Sequence, residues 1–512
     1  MKIRVVARIF LGAAIACSLQ AHVGSPDVYL EGKAGPYQLF VTIRPPQVIP
    51  GVAELEIRSE TPGVRELRAV PVPITGPGAK FAPVPDKLSQ SKQDAQFFTG
   101  SLWMMAPGSW QVRLTATGDQ GEGVLSVPVP SAAVRTKKMQ LSIGAMLSLL
   151  GLFLVAGVVA MVGASVREAK LEPGAAPTPI AQKKSRIAMS ISFVILIVVV
   201  WGGNEWWRSE ADSYRQSVYR PVQMNASLDR RGLLTLQLAD SGWLAPPRGS
   251  PNRLGISSRA HSIDDLIPDH SHLMHLYAMR APGLDAVYHL HPDQVAPGVF
   301  HLQLPAMPPG KYHLYADIVH EDGFPETPIA DVIVPAGLPG RPLAGDDSSV
   351  TAPDWMDAAT NRNLFTLPDG YRMEWLRDNT PLQARRGTLF RFRVLDQQGR
   401  APSDMALYMG MLGHAAFIKT DGTVFAHIHP MGTPSMAAFT LAQDQNGASK
   451  QSSMDEMPGM KMPGMDMSGP RTTRPNEVSF PYGFPAPGRY RIVVQMKRGR
   501  TIESGVFDAN VQ

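Results

Sequence analysis

Two apolar segments without a charged residue divide the chain into an earlier and a later soluble region. Residues 141–164 read LSIGAMLSLLGLFLVAGVVAMVGA, and residues 187–203 read IAMSISFVILIVVVWGG. Each comes close to the roughly 20 apolar residues that an α-helix needs to cross a bilayer. Trp201, Trp206 and Trp207 lie at the end of the second segment, as expected at a membrane–water interface. We therefore predict a hairpin of two transmembrane helices.

The charges between these segments predict an orientation. The connecting segment 165–186 carries the basic residues Arg167, Lys170, Lys183, Lys184 and Arg186. Basic clusters near membrane helices favour the cytoplasmic side. A cytoplasmic loop between two crossings leaves both soluble regions outside, so we expect a protein of the bacterial inner membrane with both regions in the periplasm.

The first 21 residues, MKIRVVARIFLGAAIACSLQA, are typical of a signal peptide. They have a basic start, an apolar core too short to cross a bilayer, and small residues before a cleavage point after Ala21. Cleavage there removes Cys17, the only cysteine, and makes His22 the mature N-terminus. An alternative reading takes Ala14 to Cys17 as a lipoprotein box.

Composition favours a β-rich protein that does not bind nucleic acid. The 512 residues include 46 glycines and 46 prolines, which favour short strands and turns over long soluble helices. The net charge is only +5, and the basic residues are scattered rather than clustered. No nucleic-acid partner is expected, and no motif identifies an organic substrate.

The region before the membrane, residues 22–133, reads as an antiparallel β-sandwich. Runs such as YQLFVTIRP and AELEIRSE are short, β-prone and bounded by glycine and proline. The stretch FTGSLWMMAPGSWQVRLTATG resembles the end of a YtkA-like domain, a family of periplasmic sandwiches. The Met-x-x-His element of that family is missing here. His22 could chelate copper through its amine and imidazole, as in CopC-like proteins, although the further histidine ligand of those proteins is absent.

The region after the membrane contains an internal duplication. Three pairs of segments match in the same order: residues 229–242 with 384–399, residues 272–292 with 410–430, and residues 308–319 with 486–497. We predict two β-sandwiches, residues 223–336 and 373–512, joined by a linker at 337–354. The whole chain is then mainly β, with three antiparallel β-sandwich domains and a two-helix transmembrane hairpin.

Each repeat carries a His-x-His-Pro motif after an aromatic residue. Alternate side chains of a strand share a face, so His289 and His291 point the same way, as do His427 and His429. In the second repeat, a two-residue turn at Asp421-Gly422 places His414 opposite His429.

In the first repeat, a three-residue turn around Pro282-Gly283 places His275 opposite His289. A two-residue turn would instead send His275 to the other face unless a bulge intervened. We therefore expect one three-histidine metal site per repeat, with His270 and His272 as nearby spare ligands.

Imidazole suits copper and zinc, and the methionines favour copper. Met274 precedes His275, while Met409 and Met411 precede His414. The second repeat also contains MDEMPGMKMPGMDM, which we predict to be a loop whose thioethers bind Cu(I), because soft sulfur prefers Cu(I) to zinc. Its methionines are Met454, Met457, Met460, Met462, Met465 and Met467.

The His-x-His-Pro hairpins, each followed by a Pro-Gly-x-Tyr strand, are similar to copper-associated periplasmic domains that accompany YtkA-like modules. That resemblance implies copper handling rather than a known reaction. We expect a membrane-anchored periplasmic copper-binding protein for resistance, buffering or delivery, not an enzyme, with Cu(I) or Cu(II) bound and zinc as the alternative. Its expected partner is a copper-receiving periplasmic or membrane protein. The alternatives are an assembly or scaffold protein of a respiratory complex and a copper-dependent oxidoreductase.

Overall fold

The computed structural model describes residues 27–75, 77–172, 174–216, 218–239, 263–356, 363–378, 380–444 and 475–512. The protein is mainly β, with several antiparallel sheets and two long apolar helices, as predicted. It forms two compact units: one contains the soluble regions on both sides of the helices, and the other is Ala133–Tyr219. The predicted signal peptide and His22 lie outside the described residues.

The region before the helices folds into two facing sheets. One sheet has the strand order β1-β2-β3-β7-β6 and the other β5-β4-β8-β9. Alternating residues such as Leu55 and Ile57 are buried between them, which is the pattern of a sandwich. The strands are β1 Val28–Ala34, β2 Tyr37–Arg44, β3 Gly51–Ser59, β4 Val64–Pro73, β5 Asp86–Lys87, β6 Ser89–Gln90, β7 Phe97–Met104, β8 Gly108–Gly118 and β9 Gly121–Ser131, with a 3₁₀ turn at Pro77–Lys80.

The apolar unit consists of two helices, α1 Leu141–Glu168 and α2 Pro179–Gln216. Both are long and apolar enough to cross a membrane by length and composition. They pack together at Gly163, whose carbonyl accepts a 2.7 Å hydrogen bond from the hydroxyl of Ser185. The predicted loop 165–186 is shorter in the structure, because both helices extend into it. The N–H of Tyr219 donates to the carbonyl of Ala133 at 2.7 Å, so the two ends of this unit meet.

The first repeat, repeat A, is a sandwich of two sheets, with strand orders β10-β11-β15-β14 and β17-β16-β12-β13-β19; β18 also pairs with β16. The predicted linker 337–354 contains β19, which pairs with β13 and so belongs to this sandwich. The strands are β10 Gln223–Leu228, β11 Leu233–Ala239, β12 His275–Ala281, β13 Ala286–Leu290, β14 Asp293–Ala296, β15 Val299–Gln303, β16 Gly310–Val319, β17 Pro325–Glu326, β18 Ile329–Val334 and β19 Ser348–Thr351.

The second repeat, repeat B, has the same plan. Its sheets have the orders β20-β21-β22-β26 and β23-β27-β24-β25, with β28 also paired to β27. The elements are β20 Leu364–Thr366, β21 Arg372–Leu376, β22 Thr388–Leu395, β23 Met405–Ala406, β24 His414–Lys419, β25 Phe425–Ile428, α3 Met436–Asp444, β26 Glu477–Tyr482, β27 Gly488–Arg498 and β28 Thr501–Val511.

The two repeats pack against each other through the sheets that carry the histidine motifs. In β12, Leu276 faces the core of repeat A, while Tyr277 belongs to a separate cluster with Phe425 and Val493 of repeat B. Both faces of β12, β13, β24 and β25 are therefore buried. The predicted duplication thus folds as two sandwiches with a shared apolar interface, which we call the inter-repeat core.

The domain before the helices also touches repeat B, next to its histidine motif. The N–H of Glu31 in β1 donates to the carbonyl of Met431 at 2.8 Å, and the N–H of Thr433 donates to the carbonyl of Tyr29 at 2.9 Å. A Cβ on Gly432, whose φ is +139°, would lie 2.0 Å from the carbonyl oxygen of Tyr29. Only glycine fits this close approach, so β1 holds the turn that follows His429.

Candidate metal centre

The histidine strands pair as hairpins in both repeats. In repeat B, Ala415 lies opposite Ile428, which is the predicted register and places His414 toward His429. In repeat A the predicted register is wrong by two residues, because Tyr277 rather than His275 lies opposite His289. The three-residue turn uses residues 282–284 instead of 281–283. A shift of two keeps every side chain on its predicted face.

The shared face of each hairpin is turned toward the other repeat, so the histidines meet between the two sheets. The exposed fraction is at most 2% for His275, His289, His414 and His429. Across the repeats, the ring centroids of His275 and His427 lie 5.3 Å apart. The histidines that were predicted to form one site per repeat therefore lie together in one buried imidazole cluster.

His275, His289 and His291 form the first group, as predicted. One ligand atom from each lies within 4.8 Å of the others. The Nε2 of His275 is 3.0 Å from the carbonyl oxygen of Asp269, so it carries the proton and leaves Nδ1 bare. The Nδ1 of His289 is 3.0 Å from the Oε1 of Gln495, whose amide nitrogen donates to Ser348, so Nδ1 carries the proton and Nε2 is bare.

These two bare nitrogens, Nδ1 of His275 and Nε2 of His289, are only 3.1 Å apart. With the Gln495 amide in this orientation, two lone pairs face each other with no hydrogen between them. The third member of the group, His291, has its Nδ1 3.1 Å from the Oδ1 of Asp347, and its Nε2 has no partner among the described residues. A bound cation would turn this repulsion into coordination.

The second group differs from the predicted set of His414, His427 and His429. The three rings do lie together, with centroids 4.6 to 5.4 Å apart. However, the ligand atoms that converge within 4.8 Å belong to His270, His414 and His429. His270 comes from repeat A, where it had been regarded as a spare ligand.

His427 lies between the two groups and is oriented by the opposite repeat. Its Nδ1 is 3.0 Å from the Oδ2 of Asp317 in β16 of repeat A. Asp317 lies opposite His275 in its sheet, as Gln495 lies opposite His414 in repeat B. Each repeat thus uses the same sheet position to orient a histidine of the other: Asp317 orients His427, and Gln495 orients His289. Partners of this kind fix the tautomer of metal-binding histidines.

Burial sets the protonation of the cluster. Desolvation, followed by repulsion from neighbouring imidazoles, lowers the pKa of His275, His289, His414 and His427 well below the usual value. Burial lowers the pKa of His429 to about 4. It also raises the pKa of Asp317 to about 8. The imidazoles of these five histidines are therefore neutral at neutral pH, the form that binds metals.

Several buried ring nitrogens have no hydrogen-bond partner among the described residues. An unsatisfied buried polar atom costs about 1–3 kcal/mol, so a concentration of them at one point needs a physical reason. A metal ion coordinated by these lone pairs supplies one. The unpaired atoms are both ring nitrogens of His414 and the Nε2 atoms of His270, His291, His427 and His429.

One methionine considered in the sequence lies away from this cluster. Met274 is buried in the core of the repeat A sandwich. The six methionines from Met454 to Met467 lie outside the described residues, so their role stays a prediction. Sequence reasoning missed Asp317 and Gln495 as orienting residues. The signal available was a polar residue at the same strand position of both repeats.

His320 anchors the segment that brings His270 into the cluster. It is fully buried between two carboxylates, with Nδ1 2.6 Å from Asp265 and Nε2 3.1 Å from Glu326. Burial alone would lower the pKa of His320, but these hydrogen bonds outweigh it and raise the pKa to about 9. Because Asp265 precedes His270 by only a few residues, this ion triad ties the segment to the end of β16.

Replacing His320 with glutamine is expected to destabilise the protein more at pH 6 than at pH 9.5. A folded-state pKa above the unfolded value of about 6.5 gives stability that is complete below pH 6.5 and disappears as the pH rises through 9. A shift of this size corresponds to at most about 3 kcal/mol. Denaturant unfolding of the metal-free protein at both pH values measures it, with His301→Gln on β15 as the control. An equal loss at both pH values would contradict the charged triad.

Comparisons with known proteins give a domain family without a function. Residues 229–334 and 366–512 match the model of a domain of unknown function (DUF8832). The two matched segments correspond closely to repeats A and B. No curated protein matches. The resemblance of the chain to YtkA-like and CopC-like proteins remains a prediction.

Solved structures similar to the chain are distant. A Salmonella alpha-2-macroglobulin reacted with methylamine is 9% identical, with 94% of this chain and 24% of that chain covered and a TM-score of 0.21. Dimeric latent PorU from Porphyromonas gingivalis is 8% identical, with 90% and 32% covered and a TM-score of 0.13. The chain spans less than a third of the length of either protein, and at these scores neither informs fold or function.

Proposed function

We propose that this protein is a membrane-anchored copper-binding protein, and that it holds copper in the imidazole cluster between repeats A and B. The observation that carries the proposal is the convergence of mostly buried imidazole nitrogens in two groups, several of them without a hydrogen-bond partner among the described residues. Each group offers three ligands, so each holds one ion. The protein serves copper resistance, buffering or delivery.

Three features of the site support a bound metal ion, and the first of them favours copper. Imidazole nitrogen binds Cu(II) more tightly than the other divalent first-row ions, including zinc. The orienting carboxylate of Asp347 and the nearby carboxylate of Asp269 offset the charge of bound ions. The buried cluster also favours holding an ion over converting a bulky organic substrate. Zinc is the alternative ion.

The location follows from the helices and from the ends of the helical unit. Two helices are long enough to anchor the chain in a membrane, and Ala133 and Tyr219 at its two ends share a hydrogen bond. This contact supports a topology in which the domains before and after the helices lie on the same side of the membrane. With the basic residues between the helices in the cytoplasm, that side is the periplasm of a bacterial inner membrane, where a copper-receiving protein is the partner.

Copper titration of the full-length chain in detergent is expected to reveal two tight histidine-dependent sites. The variants His289→Ala/His291→Ala and His427→Ala/His429→Ala should each lose about half of this capacity. The double variant His301→Ala/His313→Ala, outside the cluster, is the matched control and should keep all of it. Elemental analysis after dialysis, alongside competition with chelators for Cu(I) and Cu(II), gives the number and affinity of the sites.

The same titration separates the competing functions. Unchanged copper content in both cluster variants would overturn the site. Tight binding of zinc with no tight binding of copper would overturn the choice of metal. If neither metal binds, the histidines are structural and the scaffold interpretation replaces this one.

A further inference from the structure

Repeats A and B contain equivalent tight turns just before their first site histidine. Asp269 and His272 exchange backbone hydrogen bonds of 2.9 Å, and Tyr408 and Met411 exchange bonds of 2.8 and 3.0 Å. Each turn ends three residues before the histidine that begins the site strand, His275 or His414. The two turns therefore occupy the same place in the two repeats.

The backbone of these turns matches residue by residue. The first central residues, His270 and Met409, have φ angles of 48° and 49°, and the second, Ser271 and Gly410, have 72° and 82°. Left-handed conformations are uncommon outside glycine, so two matching pairs are a specific signature. Met409 is thus the counterpart of His270, and Met411 of His272.

His270 belongs to repeat A, but its side chain lies beside the histidine group of repeat B. Its ring centroid is 4.9 Å from that of His414 and 5.0 Å from that of His429, both in repeat B. The orienting residues also contact the opposite repeat: Asp317 of repeat A contacts His427, and Gln495 of repeat B contacts His289. The repeats are therefore related by an approximate two-fold exchange in which each orients a histidine of the other.

The two turns contact each other between the repeats. The imidazole of His270 hydrogen-bonds to the backbone of Met409. If the exchange that carries His270 to the repeat B group is applied to its counterpart Met409, a half-buried residue, it leads to the group of His275, His289 and His291.

We propose that the thioether of Met409 is the sulfur ligand of the ion held by His275, His289 and His291. This inference rests on the proposed copper function. The two sites then differ in chemistry: the repeat A group provides three nitrogens and one sulfur, and the group containing His270 provides nitrogen alone. Soft sulfur favours Cu(I), so the first site retains Cu(I) and the second tolerates Cu(II). The duplicated protein thus holds copper in two non-equivalent places.

The test measures sulfur coordination in the full-length chain. A parent protein is made in which the six methionines between residues 454 and 467 are leucine, so that they cannot contribute sulfur. Cu(I)-loaded parent protein should show a sulfur scatterer in copper X-ray absorption. Met409→Leu should remove that scatterer and weaken Cu(I) binding at one site by at least ~10-fold. Met356→Leu, at an exposed methionine, is the matched control and should change neither property.

A second variant keeps the test decisive if leucine disturbs the turn. Met409→His restores a ligand of the kind found at His270, so it should bind copper without sulfur scattering and lower the copper midpoint potential. Retention of the sulfur signal in Met409→Leu or Met409→His would overturn the inference while leaving copper binding intact. A parent protein that binds no copper would instead overturn the proposed function.

Discussion

Replacing Phe425 with alanine is expected to lower the free energy of unfolding by about 3–5 kcal/mol and to weaken copper binding at both histidine groups. Phe425 is 1% exposed in the inter-repeat core. Its ring stacks on Tyr315 of repeat A with centroids 4.5 Å apart and packs against Tyr277 at 5.2 Å. Because ligands and orienting residues cross between the repeats, looser packing of the two sheets misplaces both groups. Denaturant unfolding and copper competition measure the two effects.

Phe417→Ala provides the matched control. Phe417 is fully buried in the neighbouring strand β24, but it faces the core of repeat B rather than repeat A. Its loss should lower stability by a similar amount while leaving copper affinity close to that of the original protein, measured where both variants are folded. Equal copper affinities in the two variants would mean that the inter-repeat core does not align the site.

The sequence predicted the features of this site that depend on strand pairing within each repeat. Strand alternation placed His289 and His291 on one face, and the Asp421-Gly422 turn gave the correct register in repeat B. In repeat A the turn contains Pro282 and Gly283, and either could have occupied several positions of a three-residue loop. The register error of two residues did not change the faces, so the first histidine group was still identified correctly.

The other half of the site depends on contacts between distant parts of the chain. Alternation shows that the histidines share a face, but not that another sheet covers that face. The pairs Asp317–His427 and His289–Gln495 are separated by 110 and 206 residues. The equivalent strand positions hold Asp317 in repeat A and Gln495 in repeat B, so the two repeats do not share a carboxylate. Both side chains hydrogen-bond to an imidazole of the other repeat, so hydrogen-bonding capacity rather than charge is common to the two repeats.

Replacing Asp317 with leucine is expected to weaken copper binding to the imidazole cluster about 10–100-fold, the range for loss of an orienting partner. Leucine has a similar size but accepts no hydrogen bond. The Nδ1 of His427 therefore loses its 3.0 Å contact, and the imidazole is no longer held in one tautomer. Asp317→Asn should lose less, because an amide oxygen can accept the same bond, as Gln495 does for His289. Chelator competition measures both variants.

Double-mutant cycles reveal whether Asp317 of repeat A affects copper binding through a histidine of repeat B. Asp317 lies on β16 of repeat A, yet its contact is with His427 of repeat B. Its replacement should therefore have little further effect in a His427→Ala background and nearly its full effect in a His289→Ala background, since only residues that interact show non-additive energies. Gln495→Leu should give the reverse pattern, coupled to His289 and not to His427. Additive losses in all four double variants would mean that neither side chain acts through the imidazole it contacts. The exchange between repeats would then be a packing feature without a role in metal binding.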